Sequence, residues 1–432
     1  MRTIRIWRNF NQLLNKKRCF HYSAVRHDIK SLEELPSRLQ PQFKQTSNHD
    51  LLALTWPSPP RNVLIVPKHN DADVQSAVIE YANHIHNVYP GSSLIFEPTI
   101  ANQLHERFDF PIYAPPDSSS NALYQDKVDL TTTLGGDGTI LHAASLFATS
   151  PSVPPILSFS MGTLGFLGEW KFAEYKRAFR EVFVSGAPPP ISSSEPPTSP
   201  PSQWGDVRGK SMGASRNSRI LLRNRLRIGI FDSATGERLP HDPPSSSSNS
   251  DIYALNEVLL HRGALPHLAH ITILIGSPPH QRPLTTAIAD GFLVSTPTGS
   301  TAYSLSSGGS IVHPLVSSLL LTPICPRSLS FRPLVLPANT PITLRIESSN
   351  RGKEIEVSVD GIRRGEGLRE GMEVRVVGEE VRQEGKERGE KDWLRGVPSI
   401  VRSGGDGASG DDHWVGGLNS LLKFNYPFGE DG

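Results

Sequence analysis

The chain has 432 residues, 37% of them hydrophobic and 20% charged, and its 44 Lys and Arg against 43 Asp and Glu leave a formal net charge of +1. That length allows two or three domains with sizeable cores, and the balanced charge gives no dominant basic surface of the kind a nucleic-acid partner requires. Two cysteines, Cys19 and Cys325, are too few for a disulfide framework or a cysteine-rich zinc site, and the longest apolar run, LVSSLLLTPIC, falls short of the roughly 18 residues that span a bilayer.

The first 27 residues carry Arg2, Arg5, Arg8, Lys16, Lys17, Arg18 and Arg26 and no acid. Ile4, Trp7, Phe10 and Leu14 recur between them at helical spacing. A basic, acid-free amphipathic segment is the physical signature of a mitochondrial presequence, with a cleavage site expected near Phe20. Residues 1–45 are therefore read as presequence and linker, and the mature protein is expected in the mitochondrial matrix.

Residues 46–185 have the pattern of an α/β domain. NVLIVP is a short buried-strand candidate, DADVQSAVIEYANHIHNVY is helical with Asp71 or Asp73 placed to cap it, and SSLIFEP is a second strand. VDLTTTL then runs into Gly135-Gly136-Asp137-Gly138-Thr139 and a helix, and PPILSFSMGTLGFLG repeats the motif of an apolar strand entering spaced glycines. Strands alternating with helices predict a parallel sheet with its ligand site beyond the strands' carboxyl ends, where both glycine loops fall.

Residues 186–217 are too rich in Pro and Ser to bury a core and are expected to be a disordered insert. Gly209-Lys210-Ser211 within it ends like a P-loop, but Trp204 stands where that motif needs its first glycine and no strand precedes it. A second such insert, LPHDPPSSSSNSD, interrupts an apparent hairpin. Across residues 218–376 the helical period gives way to strand-like pieces separated by Gly, Pro and Asp-Gly turns, which predicts a mainly antiparallel β domain. Residues 377–432 read as a charged tail ending in a short docked helix, with Trp414, Leu418, Leu421 and Leu422 at helical spacing.

Two stretches carry chemistry. In GGDGT the glycines allow close approach of backbone N–H groups to a phosphate at a helix N-terminus, although a tight turn with a solvated Asp has the same sequence. In Asp290-Gly291-FLVSTPTGSTAYSLSSGG, six hydroxyl side chains and Tyr303 surround one Pro-Thr-Gly turn. Hydroxyls that donate and accept, with a tyrosine face to stack on, suit a nucleoside or pyrophosphate, while Ser- and Thr-rich turns also cap helices. His261, His267 and His270 cluster without a Cys or acid at metal spacing, so no zinc site is assigned there. Asp360-Gly361 between two strand-like runs is first a hairpin signal.

Taken together and in order, GGDGT after a strand, GTLGFL on the next loop, Asn256-Glu257 inside a strand and DGFLVSTPTGSTAYSLSSGG resemble the NAD kinase family, over roughly residues 60–180 and 218–362. With the presequence and the ending WVGGLNSLLKFNYPF, the chain is most similar to the fungal mitochondrial branch, the NADH kinases. The resemblance implies a phosphofructokinase-like or Rossmann-like N-terminal α/β domain, a β-rich NAD-binding C-terminal domain, ATP as phosphoryl donor with Mg²⁺, NAD⁺ or NADH as acceptor, and a homo-oligomer, dimer or tetramer, whose neighbouring subunits complete the site. It implies that Asp137 lies beside the ribose of NAD as the base for its 2′-hydroxyl. Gly135, Gly136, Gly138 and Thr139 would form the phosphate loop. By the same resemblance Gly138, Asn256, Glu257, His267, Asp290, Thr301, Ala302, Tyr303, Ser304, Leu305 and Ser306 contact NAD or line its site, and Asp360-Gly361 has a counterpart near the substrate. Some positions depart from the family: Ser160 replaces a common Asn and receives no site role, and Ile288 stands where bacterial members often carry a basic residue. Lipid kinases share a GGDG loop but lack STPTGSTAYS. A catalytically silent NAD-binding protein is the reading from another class, and the presence of Asp137 argues against it.

Overall fold

A computed structural model describes residues 28–45, 51–117, 121–162, 165–187, 217–240, 251–352, 354–379, 383–384, 391–392, 395–402 and 418. The N-terminal half is built on one large sheet. Its strands are β1 (Ile29–Ser31), β2 (Gln42–Gln45), β3 (Leu52–Thr55), β4 (Asn62–Pro67), β5 (Ser93–Ile95), β6 (Ile112–Ala114), β7 (Leu130–Leu134), β8 (Ile156–Ser160), β9 (Trp170–Lys171) and β10 (Arg219–Arg223), joined by a late strand described below. Helices α1 (Ala72–Val88), α2 (Pro98–Leu104), α3 (Asn121–Lys127), α4 (Asp137–Ser145) and α5 (Tyr175–Phe183) connect or cover them.

Every residue of β4, β7 and β8 is buried, as parallel strands covered on both faces require. Helix α1 forms because Val74, Ala77, Val78, Tyr81, Ala82 and Ile85 make one apolar stripe against that sheet. Of its two candidate caps Asp71 is the one used, accepting from Val74 N at 3.3 Å. The order β6-β5-β4-β7-β8 is parallel throughout. It reverses direction between β4 and β7, so the turn from β7 into α4 opens at the crevice where such sheets hold ligands.

The C-terminal half is a sandwich of two six-stranded antiparallel sheets. One runs β12 (Ile252–Ala254), β11 (Leu226–Asp232), β22 (Met372–Gly378), β19 (Ile342–Ile346), β14 (Ala269–Ile275) and β15 (Arg282–Ala289). The other runs β18 (Leu334–Pro337), β17 (Ser318–Ile324), β16 (Gly291–Ser295), β13 (Glu257–His261), β20 (Ile355–Val359) and β21 (Ile362–Leu368). Their inner faces share one apolar core that includes Ile228, Leu260, Ile271, Phe292, Leu344, Val357 and Val374. The architecture is thus an α/β domain on a mostly parallel sheet followed by an antiparallel β domain, as the sequence pattern indicates.

Several segments depart from the sequence reading. The span read as presequence and linker contains β1 and β2, and Asp129 ties it down by accepting from Leu39 N, Arg61 N and Asn62 N at 2.6, 2.7 and 2.9 Å. SRILLRNRLRIGIFD is two strands in different sheets: β10 pairs with β3, the chain crosses at Asn224, and β11 enters the sandwich. The span read as a charged tail contains the two-residue pair β23 (Gln383–Glu384) and β24 (Lys391–Asp392), and then β25 (Val397–Val401). Strand β25 is entirely buried, parallel to β8 and antiparallel to β10, and so closes the large sheet. Residues 188–216 and 241–250 fall outside the described residues, as do Trp414, Leu421 and Leu422 of the expected helix.

Candidate active site

Strand β7 ends at Leu134, and Gly135-Gly136 turn the chain into α4, whose first residue is Asp137. Gly136 and Gly138 are exposed at that helix start, where the first N–H groups have no intrahelical partner and favour an anion. The Asp137 carboxylate turns away from the helix toward the loop after β8. Oδ2 accepts from Phe166 N at 2.9 Å and Oδ1 from Leu167 N at 3.1 Å. Gly165 explains how the loop comes so near, since a Cβ there would stand 2.1 Å from Asp137 Oδ1. Each carboxylate oxygen spends one lone pair on the loop and retains another for a hydroxyl donor.

Arg223, at the end of β10, closes this arrangement from below. Its guanidinium is 2% exposed at the residue level, and donates to Ser399 Oγ at 3.1 Å, to Phe166 O at 3.4 Å and to Thr298 Oγ1 at 3.5 Å. Burial lowers its pKa, opposed by the carboxylates of Glu169 and Asp137. One side chain thus joins the large sheet, the loop that holds Asp137 and the hydroxyl-rich turn of the sandwich.

That turn is a short 3-10 segment, Thr298–Thr301, leading into α6 (Tyr303–Ser306). It packs directly on Asn256: Thr296 N donates to Asn256 O at 2.8 Å, and a Cβ at Gly299 would stand 2.2 Å from the same oxygen. Thr301 Oγ1 donates to Thr298 O and Ser306 Oγ to Tyr303 O, while Ala302 and Leu305 are half-buried. Tyr303 is 41% exposed, its ring available to a ligand. Ser304 is wholly buried and its hydroxyl pairs with Thr322 Oγ1 at 2.9 Å, so it fixes the turn from behind.

Asn256 and Glu257 stand where β12 passes into β13. The Asp360 carboxylate accepts from Leu255 N at 2.7 Å, Asn256 N at 2.7 Å and Glu257 N at 3.1 Å. Asp360 and Gly361, with φ of +48° and +78°, form the β20–β21 hairpin turn, so this pair is both a turn and a support for the site. Glu257 is buried beside Asp360; loss of hydration, reinforced by that neighbouring carboxylate, pushes its pKa up to about 8. Asn256 Oδ1, Glu257 Oε2 and Ser295 Oγ are buried without a partner. Such orphaned polar atoms, on neighbouring residues at one end of the β13–β16 pairing, suit a polar ligand that supplies their missing hydrogen bonds.

Two domain models match the chain: the ATP-NAD kinase N-terminal domain at residues 69–186 and the ATP-NAD kinase C-terminal domain at residues 255–380. A mitochondrial NADH kinase of Schizosaccharomyces pombe is 35% identical over 442 residues, covering 98% of this chain and 94% of that protein. The chain belongs to the NAD kinase family. A mitochondrial NADH kinase of Saccharomyces cerevisiae is 36% identical over 420 residues, 93% of this chain and 89% of its own. A crystal structure of yeast NADH kinase complexed with NADH superposes with a TM-score of 0.72 at 33% identity, covering 94% of this chain and all of that one.

Within one chain of this NAD kinase the named residues do not all converge. Gly135 to Thr139 lie at the β7–α4 turn and Thr301 to Ser306 beside the turn packed on Asn256, and Arg223 joins the two by donating to Phe166 O and Thr298 Oγ1. Asp290 and His267 stand apart: Asp290 sits in the β15–β16 turn, ion-paired with Arg262 Nε at 2.6 Å, and His267 is exposed on the loop after β13. In the β13–β16 register Glu257 faces Ser295 whereas His261 faces Gly291, so Asp290, one residue further on, lies about 17 Å along the ladder from the Glu257 end. The sequence reading passed over Arg223, Gly165 and the acceptor role of Asp360. Arg223 carries no local signal, since an arginine ending a strand two residues before a second arginine reads as surface.

Proposed function

We propose that the protein transfers the γ-phosphoryl group of ATP to the 2′-hydroxyl of the adenosine ribose of NAD⁺ or NADH, giving NADP⁺ or NADPH. The observation that carries this reading is the Asp137 carboxylate, fixed by two backbone N–H groups at the mouth of a glycine-lined helix N-terminus and joined through Arg223 to the turn packed on Asn256, beside which Asn256, Glu257 and Ser295 carry orphaned polar atoms. Phosphoryl transfer needs aligned partners, neutralised phosphate charge and a proton acceptor. Helix α4 offers N–H groups to the phosphates, and Mg²⁺ enters with the nucleotide as part of the substrate. Asp137 accepts the ribose proton as the hydroxyl attacks phosphorus and the bond to the ADP leaving group breaks.

Asn256, Glu257 and the turn from Thr301 to Ser306 hold the dinucleotide, with the Tyr303 ring as a stacking face. His267 and Asp290 act in a homo-oligomer, each contributing to the site of a neighbouring copy, which accommodates their distance from Glu257 in the single chain. The acid-free basic segment at residues 1–27 and the two mitochondrial relatives support placement in the mitochondrial matrix. No helix among the described residues is long and apolar enough to cross a membrane.

The test is a coupled assay of the chain lacking its first 20 residues, with ATP, Mg²⁺ and either NAD⁺ or NADH. NADP⁺ or NADPH is the expected product. Asp137→Asn is expected to lower kcat by about 10²- to 10⁴-fold with dinucleotide binding retained. Unimpaired turnover by that variant would remove Asp137 as the base, and NAD binding without any product from the parent chain would favour a silent binding protein.

A further inference from the structure

A second group of chemically active side chains lies beside the glycine loop, drawn from three separate segments. His69 follows β4, Glu97 precedes α2 at the end of the β5 connection, and His142 is on α4, five residues beyond Asp137. The ligand atoms of these three residues all lie within 4.8 Å of one another. His142 Nε2 is 3.0 Å from both carboxylate oxygens of Glu97, and the His69 and His142 rings meet edge to face with centroids 5.7 Å apart.

We propose that His69, Glu97 and His142 form a binding site for a divalent transition-metal ion of the Zn²⁺ type, separate from the Mg²⁺ that accompanies the nucleotide. Two imidazoles and one carboxylate are the donor set that suits such an ion and leaves a fourth position to water. Magnesium prefers an all-oxygen octahedron, which two imidazoles do not supply. Glu97 and His142 are half-buried on a helix start and a helix body, so two ligands are held in place. His69 is exposed on the short connection between β4 and α1. Bonds of about 2.0–2.1 Å to a tetrahedral ion place ligand atoms roughly 3.3 Å apart, so an ion would draw these atoms, already within 4.8 Å of one another, closer together. The one cation next to it in sequence, Lys68, is directed to the α1 cap, with Nζ 3.1 Å from Asp71 Oδ2.

The position gives the site a relation to the reaction. Lys68 N donates to Leu134 O at 2.9 Å, which joins the His69 segment to the end of β7 immediately before the glycines. His142 shares α4 with Asp137, about 7.5 Å further along its axis. An ion here therefore clamps the β4 and β5 connections to the helix that presents Asp137. The simpler reading of the same geometry is a His142–Glu97 ion pair with a neighbouring imidazole. The two differ in what His69 does: an ion pair has no use for it, whereas a metal ion requires it.

Co²⁺ serves as the spectroscopic probe and Zn²⁺ by equilibrium dialysis as the stoichiometric one, both on the full chain without nucleotide. One ion per chain is expected, with a visible Co²⁺ absorption that Zn²⁺ displaces. His69→Ala, Glu97→Gln and His142→Gln are each expected to weaken binding about tenfold or more. His69→Ala is the deciding variant, because its exposed side chain leaves the metal-free melting curve unchanged. Loss of the Co²⁺ absorption in that variant supports the site. Equal binding by His69→Ala and the parent chain, or no saturable binding by the parent, overturns it.

Discussion

The chemistry of the site comes down to where one carboxylate points. Asp137 was singled out in the sequence by the family resemblance of GGDGT and STPTGSTAYS taken together, since the loop alone also fits a tight turn with a solvated Asp, but its partner was not legible: the glycine that admits it, Gly165, is one of three in SMGTLGFLG, Ser160 to Gly168, and spacing does not say which one faces a side chain. The structure singles out Gly165, because a Cβ there would stand 2.1 Å from Oδ1. Gly165→Ala must therefore push the carboxylate off its two N–H donors or move the loop. Positional errors of about 1 Å near reacting groups cost on the order of 10²-fold in rate. We expect kcat of Gly165→Ala to fall by about that factor while the KM for NAD or NADH changes little, measured in the same coupled assay. Unchanged kcat would mean that Asp137 tolerates displacement and that its held orientation is not what turnover depends on.

At the scale of elements, strong periodicity was readable and context-dependent pairing was not. Helix α1 with its Asp71 cap and the strands NVLIVP, LTTTL and ILSFS follow from apolar pattern and turn residues. Strand β25 did not, because five apolar-leaning residues after a charged run look like a surface segment until β8 and β10 are seen to leave a slot for them. Asp360 shows the same limit. Its hairpin role is local and was legible, while its three bonds to residues 255–257 cross from one hairpin to another strand. That crossing places two carboxylates, Asp360 and Glu257, side by side in a buried setting, and it has a pH consequence. A carboxyl whose folded pKa rises from 4.5 to about 8 binds its proton more tightly in the folded state. Its contribution to stability is complete below about pH 4.5 and is lost as pH rises through about 8. Glu257→Gln cannot ionise, so the melting temperature of the variant relative to the parent should climb between those two pH values and level off above them. Parallel melting curves across that range would show that Glu257 stays hydrated in solution.

For the whole molecule the question is what makes two domains of different architecture act as one. Two arginines at the crossing from β10 to β11 answer it. Arg223 reaches the loop that holds Asp137, and Arg225 makes a buried two-pronged pair with Glu379, Nη2 to Oε1 at 2.7 Å and Nε to Oε2 at 2.8 Å, with side chains 2% and 1% exposed. Arg225 also donates to Pro151 O at 3.1 Å and stacks over Tyr253 at 4.2 Å, and Glu379 accepts from Gly396 N at 3.0 Å just before β25. The pair therefore links the loop after α4, the crossing itself, the end of β22 and the start of the strand that closes the large sheet. Desolvating two charges is costly, so such a pair adds little net stability over an apolar replacement, yet removing one partner leaves the other charged and buried. Arg225→Met and Glu379→Leu should each cost about 3–5 kcal/mol in denaturant unfolding. The double variant should cost less than the sum of the two by more than about 1 kcal/mol, the sign of direct coupling. Additive losses would mean that each residue acts through its other contacts, with Pro151, Tyr253 or Gly396. In that case the junction would rest on packing and backbone bonds around the crossing, and Arg223 alone would carry the electrostatic link between the β domain and Asp137.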